Sequence, residues 1–377
     1  MAAVDFLIVG GGIAGASVGF WLSRYGSVLL LEREEHPGYH STGRSAALFW
    51  EGYGTAQVRA LTCASRAFLS SPPAGFATTS ILSPRGALIF APPQREQALQ
   101  QLLDEISAQA PNARPVSPAN ALERVPVLRP EKVAAAVFEP DALDIDVHAL
   151  HQGYLRGMRA NRGQMLTRAE VLSIEREANG WRIDSTAGEC RAAVIVNAAG
   201  AWADVVAGQA GIEAIGLVPK RRSAFTFTPP SDLQIADWPM FISVDEDCYV
   251  KPDAGVLLGS PANADPTHPH DVQAEELDIA IAIDRIQAYS TLSVRRPIRT
   301  WAGLRSFVAD GDLVGGYEPD ANGFFWLAAQ GGYGIQTSAA MGEACAAIAA
   351  GRPVPQHIAD FGVSEQILEP RRLRQIR

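Results

Sequence analysis

The sequence predicts an α/β protein of two units. One is wound on a parallel sheet that opens with a βαβ motif; the other is an α+β unit on a mixed, largely antiparallel sheet. Three observations carry this prediction. The N-terminus reads strand, glycine turn, helix, strand, the order of a βαβ unit. Between residues 220 and 259, short alternating segments succeed one another as antiparallel strands do. The 377 residues match two domains at roughly 150 residues each.

Taken in order, residues 4–9 are an apolar run of β type, and a helical pattern follows the glycines through Ala16, Phe20, Trp21 and Leu22. Residues 27–31 form a second apolar strand, ending at Glu32. Residues 36–54 are rich in Gly, Ser and Tyr without periodicity, a long loop of the kind that carries function. Residues 58–69 read as helix, 87–90 as strand and 96–110 as helix. Residues 111–140 hold six prolines and read as short pieces. A helix over 146–161 leads to hairpin strands at 170–175 and 181–185 and a buried strand at 193–197, ending in Ala198-Ala199-Gly200. Strands follow at 220–227, 241–244, 248–251 and 256–259, then a helix at 274–289. Strands at 300–307, 314–317 and 324–329 precede a glycine turn at 330–334 and a closing helix at 336–350. The parallel-sheet unit is expected to be discontinuous, comprising 1–80, 145–215 and 300–377. The second unit comprises 81–144 and 216–299.

With 47% hydrophobic and 19% charged residues, a disordered or collagen-like chain is excluded. A net charge of −9 argues against a nucleic-acid partner, which needs a basic face. The four Cys (Cys63, Cys190, Cys248, Cys345) are widely spaced with no C-x-x-C, against a zinc site or a disulfide framework. The apolar stretch 6–22 is interrupted by five glycines and preceded by no basic residue. It fits neither a signal peptide nor a membrane span. A cytoplasmic protein without an integral membrane segment is expected, with peripheral membrane association left open. His148 and His151 have metal-ligand spacing on a helix, but no residue completes a first shell, so no metal is expected. Arg371, Arg372, Arg374 and Arg377 read as a solvated basic end.

The chemistry begins at Gly10-x-Gly12-x-x-Gly15, with Ile13 and Ala14 inside the motif. Gly10 turns the strand sharply, Gly12 lets backbone approach a pyrophosphate and Gly15 lets the helix pack on the strand. The helix N-terminus offers unpaired N–H groups and a positive dipole end to phosphates. Glu32, ending the second strand, is placed to accept from a ribose. A protein that takes electrons from a nicotinamide and also holds FAD needs a second such motif, and none follows a strand here. Two features favour FAD. The strand ending at Ala199 and Gly200 brings backbone to the nucleotide edge. The run Gln330-Gly331-Gly332-Tyr333-Gly334-Ile335-Gln336-Thr337 enters a helix whose N-terminus suits a flavin carbonyl or ribityl chain.

These pieces, with Ser41-Thr42-Gly43-Arg44-Ser45 and Trp301-Ala302-Gly303-Leu304-Arg305, resemble the D-amino-acid oxidase and sarcosine/glycine oxidase superfamily of flavoenzymes, nearest to bacterial D-arginine dehydrogenases. The blocks Gly38 to Ser45, Pro219 to Phe225 and Gly259 to Pro266 carry the likeness across essentially the whole chain. The resemblance implies an FAD-binding Rossmann-like domain of the glutathione-reductase type, and a substrate-binding domain in the second unit. In the N-terminal half it implies FAD contacts at Gly10, Gly12, Ile13, Ala14, Gly15, Glu32, Arg33, Thr42, Arg44, Ser45 and Ala46. Further along it implies Val171, whose backbone meets adenine, Ala199, Gly200, Trp202 and Gly303. At the C-terminal end it implies Gly331, Gly332, Tyr333, Gly334, Ile335, Gln336 and Thr337. Some relatives tether flavin through a C-terminal Cys; Cys345 falls inside the closing helix, so non-covalent FAD is expected.

The resemblance places Arg222, Tyr249 and Arg305 on an amino-acid carboxylate, the pairing of planar fork and phenol that suits it, with Tyr53 as a lid. Gln336 and the Gly332 carbonyl face the amine. The implied reaction moves a hydride from Cα to flavin N5, and the imine hydrolyses to a 2-oxo acid and ammonia. No base is assigned, neither His36 nor His40. Against the arginine enzymes, this chain has Leu48 for a His, Trp50 for a Thr and Ala87 for an acid. An apolar pocket disfavours a cationic side chain, so apolar or aromatic D-amino acids are expected over D-Arg and D-Lys. Glu51 is the one candidate for a displaced acid. Gly52 and Gly54 around Tyr53 suit a hinge. The alternatives are oxidation of sarcosine-, glycine- or proline-like secondary amines, and flavin binding without amine chemistry. A quinone or other non-nicotinamide electron acceptor is expected.

Overall fold

The computed structural model describes residues 3–374. Strand Ala3–Val9 lies inside an eight-stranded sheet, parallel to Val28–Leu31 on one side and Gly188–Asn197 on the other. Strand Phe324–Ala328 joins Gly188–Asn197 in parallel, and the hairpin Val171–Glu177 with Gly180–Ser185 extends it antiparallel. Helices Ile13–Leu22, Val147–Ala160 and Ser338–Ala349 cover one face. Their apolar residues form one core with Ile8, Leu30, Val196 and Phe325. Because both faces of the central strands are covered, residues 6–9 and 28–31 are buried without alternation, as parallel strands are.

The second sheet has nine strands. All its pairings are antiparallel except Ala87–Ala91 beside Met240–Ser243. Strand Arg299–Phe307, expected with the first unit, pairs along its length with Val218–Phe227 in this second sheet. It thereby carries the chain across between the two sheets. The proline-rich stretch does hold short pieces, but it ends in a true sheet strand, Ala135–Glu139, paired with Ala87–Ala91. The loop over 36–54 is pinned at Leu48–Phe49, which pairs with Leu143–Ile145 in a small three-stranded sheet.

Of the C-terminal arginines Arg371 is exposed, as a solvated end would be, but the next two that the structure describes are paired. Arg372 pairs with Asp310, and Arg374 pairs with Glu318 and Asp320; Arg377 lies outside the described residues. No described helix is long and apolar enough to cross a membrane.

Candidate active site

The glycine motif is built as its spacing requires. Gly10 has φ +106°, and a Cβ there would lie 2.5 Å from the Ala198 carbonyl oxygen. A Cβ at Gly15 would lie 1.9 Å from the Gly10 carbonyl oxygen, so helix and strand meet backbone to backbone. The helical ladder begins with the Ala16 N–H donating to Gly12 O at 2.9 Å, which leaves the earlier amides facing the cleft. One of them, Ile13 N–H, donates to Thr42 Oγ1 at 3.0 Å. Glu32 is buried and accepts from Gly11 N–H (2.7 Å) and Glu34 N–H (2.8 Å). Each of its oxygens thus keeps a lone pair for a ribose hydroxyl. His151, neutral because burial lowers its pKa, donates from Nε2 to Gly11 O at 2.9 Å. It supports the turn. Among the described residues no group of three or more His, Cys, Asp or Glu could hold a metal.

The cleft over this turn, counted with the space at its open side, spans about 1130 Å³. At one end Trp202 packs against the Arg33 guanidinium, 4.1 Å away, and the His40 ring, 4.7 Å away, which themselves meet at 3.3 Å. Val171 and Gln209 line the same end. Gln209 donates from Nε2 to Val171 O at 3.1 Å, while its Oε1 is buried with no partner. With the glycine cradle and Glu32, these residues fit an adenine dinucleotide.

The cleft runs on past Ile13, Thr42 and Gly331 to Ala46, Gly303, Gly334 and Ile335, and from there to a chamber that spans about 630 Å³ with its open side included. Arg222, Tyr249, Arg305 and Gly332 sit at the junction. A Cβ on Gly332 would fall 2.6 Å from an Arg305 terminal nitrogen, so only glycine lets the backbone lie on that guanidinium. Burial works against the Arg305 charge, but the Tyr53 and Tyr249 oxygens hold its pKa above the usual arginine value. Burial and the nearby Arg305 draw Arg222 down. Two guanidiniums crowded together in a poorly solvated site with no paired carboxylate form an anion site. Burial raises the Tyr53 phenol, against the pull of Arg305. Tyr53 OH donates to Glu246 at 3.3 Å and its ring stacks on Trp50 with centroids 5.0 Å apart.

The chamber wall is Ala46, Ala47, Leu48, Trp50, Met240, Ile242 and Ile335, with one further charged group, Lys251. Lys251 donates to Asp144 at 2.7 Å, and Asp144 also takes Arg85 at 2.7 Å. Two cations on one carboxylate leave a net positive charge beside the wall. Glu51 is bound by Arg66 through both oxygens, at 2.7 and 2.6 Å, and does not line the chamber. Gln336 lines the chamber, with Oε1 accepting from Trp50 N–H (3.2 Å) and Nε2 donating to Thr62 Oγ1 (3.0 Å).

Most of the expected cofactor residues line this path, including Gly200, Ala199, Ser45 and Ala14. Some stand behind it. Gly15 is a packing residue, and Tyr333 packs edge-on to Tyr53 at 5.3 Å. Thr337 is wholly buried with its hydroxyl on Tyr333 O. Arg44 lines the middle of the path, but its guanidinium is spent on Val272 O, Ala302 O and Asp271. Ala87 is wholly buried in register with Met240; the lining there is Met240 and Ile242. His40 is at the nucleotide end, bonded to Glu34. Cys345 is wholly buried in the closing helix, and burial pushes its thiol up. Sequence reading missed Lys251, Met240, Ile242, Gln209 and Glu246. Lys251 was within reach, being two residues after Tyr249 on a strand and so on the same face.

Three comparisons bear on this architecture. Human mitochondrial dimethylglycine dehydrogenase is 24% identical over 265 residues, 68% of this chain and 30% of that protein. The chain thus spans under a third of that relative's length. Glycine oxidase from Geobacillus kaustophilus is 22% identical over 374 residues, covering 96% of this chain and 97% of the other. Its crystal structure superposes with a TM-score of 0.82 at 20% identity over 93% of this chain and 96% of that one. The crystal structure of iminodiacetate oxidase from Chelativorans sp. BNC1 also gives a TM-score of 0.82, at 20% identity over 97% of this chain and 99% of that one. The profile described as FAD dependent oxidoreductase (DAO) matches residues 5–348, and with the cleft, the glycine turn and the fold in place, the chain belongs to that FAD-dependent family.

Proposed function

We propose that this chain is an FAD-dependent D-amino-acid dehydrogenase that favours apolar or aromatic side chains over D-Arg and D-Lys. The observation that carries the reading is the junction itself. Arg222, Arg305 and Tyr249 gather between the cofactor cleft and an apolar chamber whose one other lining charge is Lys251. The two guanidiniums bind the substrate carboxylate, Tyr249 and Tyr53 add hydroxyls, and Tyr53 covers the site. Gly332 O and Gln336 orient the amine, which must be neutral so that its lone pair forms the C=N bond. When bound, FAD supplies the acceptor for the Cα hydride. The released imine hydrolyses in water to a 2-oxo acid and ammonia, so no side-chain nucleophile is required and positioning carries the protein's share.

The preference for D-amino acids is supported by the resemblance of the blocks Gly38 to Ser45, Pro219 to Phe225 and Gly259 to Pro266 to those of D-arginine dehydrogenases. The side-chain preference is supported by Leu48, Trp50, Met240 and Ile242 in the wall, by Glu51 being bound to Arg66, and by the cationic Lys251. Residues 1–80, 145–215 and most of 300–377 form the cofactor half in this reading, and 81–144 with 216–299 the substrate half. A quinone or other non-nicotinamide acceptor reoxidises the protein, since one dinucleotide motif is present.

A second reading, oxidation of glycine-type amines such as sarcosine, glycine or iminodiacetate, is favoured by what relatives are named for: glycine oxidase, dimethylglycine dehydrogenase and iminodiacetate oxidase. Anaerobic mixing of the FAD-loaded protein with D- and L-amino acids, sarcosine and iminodiacetate separates the two. Fast loss of visible flavin absorbance with D-Phe, D-Met or D-Leu, and little with D-Arg, supports the first. Bleaching by the secondary amines alone replaces it with the second.

A further inference from the structure

Behind the Trp50–Tyr53 stack lies a buried carboxyl that the chemistry above does not use. Glu139 ends strand Ala135–Glu139, in register with Ala87, and is 1% exposed. One oxygen accepts from the Trp50 indole N–H at 2.6 Å; the other faces the Gly52 N–H at 3.4 Å. A Cβ on Gly52 would sit 2.7 Å from Glu139 Oε2, so this loop turn is shaped to the carboxyl. Trp50 is buried and stacks on Tyr53 with an interplanar angle of 8°.

We infer that Glu139 is a positioning residue that anchors the Trp50–Gly52 turn to the sheet and so sets Tyr53 over the substrate carboxylate site. It touches neither substrate nor cofactor. Its reach to Tyr53 is one hydrogen bond and one ring stack. The functional half of this inference rests on the amine-oxidation reading; the anchoring half does not.

The anchor has a chemical state. An ionised carboxylate accepts from both N–H groups more strongly than a protonated one. Burial raises the Glu139 pKa to about 7, against the pull of Trp50 and Gly52. The charged and titratable groups around it are Glu51 from the same loop, Asp141 from the next turn, and Cys63 and Arg66 from helix Ala56–Ser70. Glu51 and Asp141 push it further up; Arg66 is bound to Glu51. Strand Ala87–Ala91 presents Ala87, and helix Glu96–Ile106 presents Ile106, both apolar. While the carboxyl stays buried, its ionised form holds the turn more firmly than its protonated form.

Hydrogen exchange of the Gly52 and Tyr53 amides in the FAD-loaded protein at pH 8 is the test, since it needs no substrate. Glu139→Gln, which keeps shape but removes the charge, is expected to speed exchange there at least tenfold while strand Ala87–Ala91 is unchanged. With the best amine found, it is expected to raise KM about fivefold with kcat within twofold, and to abolish a rise in kcat/KM through pH 7. If Glu139→Gln does not fold, Trp50→Phe removes the donor from the other side and is expected to give the same exchange increase. Unaltered exchange at Gly52 and Tyr53 in the folded variant overturns the inference. Faster exchange in a protein that oxidises no amine keeps the anchor and retires the amine reading.

Discussion

The two ends of the site are built from different materials. The nucleotide end is built mainly on backbone, a glycine turn, the start of one helix and the ends of two parallel strands, with the Glu32 carboxylate set beside it. The chamber is made of side chains borrowed from strands far apart in sequence, Leu48, Arg222, Met240, Tyr249 and Arg305. Backbone tolerates no substitution where atoms touch, whereas side chains can be exchanged to change what is bound. The first end fixes the cofactor; the second is where specificity resides.

The sharpest way to break that contrast is at the helix–strand contact. Gly15→Ala places a methyl into the Gly10 carbonyl, 1.9 Å away. We expect the purified protein to lose essentially all FAD, read from its visible absorbance per mole of protein. Gly303→Ala, whose Cβ would meet Arg44 at an ordinary 3.5 Å, is expected to keep FAD within twofold. Equal loading of the two variants would undo the distinction between a backbone wall and an adaptable one.

In the chamber, Arg305→Met should cost about 100-fold or more in kcat/KM with FAD retained, because a charge buried against a bound carboxylate contributes about 2–5 kcal/mol. Arg305→Lys should recover only a part, since an ammonium cannot present a planar fork. An effect below about fivefold for Arg305→Met would remove this arginine from the carboxylate site. A subtler change is Lys251→Met. It deletes the cation in the wall and leaves Asp144 to Arg85. We expect kcat/KM for D-Lys and D-Arg relative to D-Leu to rise about tenfold, roughly 1.4 kcal/mol of relieved repulsion. No change in that ratio would mean that wall shape, not charge, excludes cationic side chains.

The same division explains what was legible in the sequence. The βαβ unit and its ligand end were readable because Gly10, Gly12, Gly15 and Glu32 act within one local motif. Arg222, Tyr249 and Arg305 were found by resemblance, and their convergence depends on the pairing of Val218–Phe227 with Arg299–Phe307, which no local pattern reports. Strand Ala135–Glu139 was hidden because the prolines before it outweighed the apolar run from Val133 to Phe138. Glu139 was hidden for a related reason. It becomes a neighbour of Trp50 only when its strand pairs with Ala87–Ala91. Glu51, next to Trp50 in the chain, drew attention instead, although Arg66 takes it elsewhere.

The smallest expected effect concerns the stability carried by Glu139. Its pKa in the fold is about 7 against an ordinary 4.5. Below pH 4.5 folded and unfolded chains both hold the proton, and the full stability is present. As pH rises, the unfolded chain releases its proton first, while the folded chain keeps it until about pH 7. Stability is therefore lost across that window, by on the order of 3 kcal/mol, and is level above it. Glu139→Gln has no such proton to release. The melting temperature of the wild type minus that of Glu139→Gln should fall by about 4 °C between pH 4.5 and pH 7.5. A difference independent of pH would mean that Glu139 is already ionised at pH 4.5 in the folded protein. In that case the hydrogen bonds from Trp50 and Gly52 outweigh its burial, and the anchor holds at every pH.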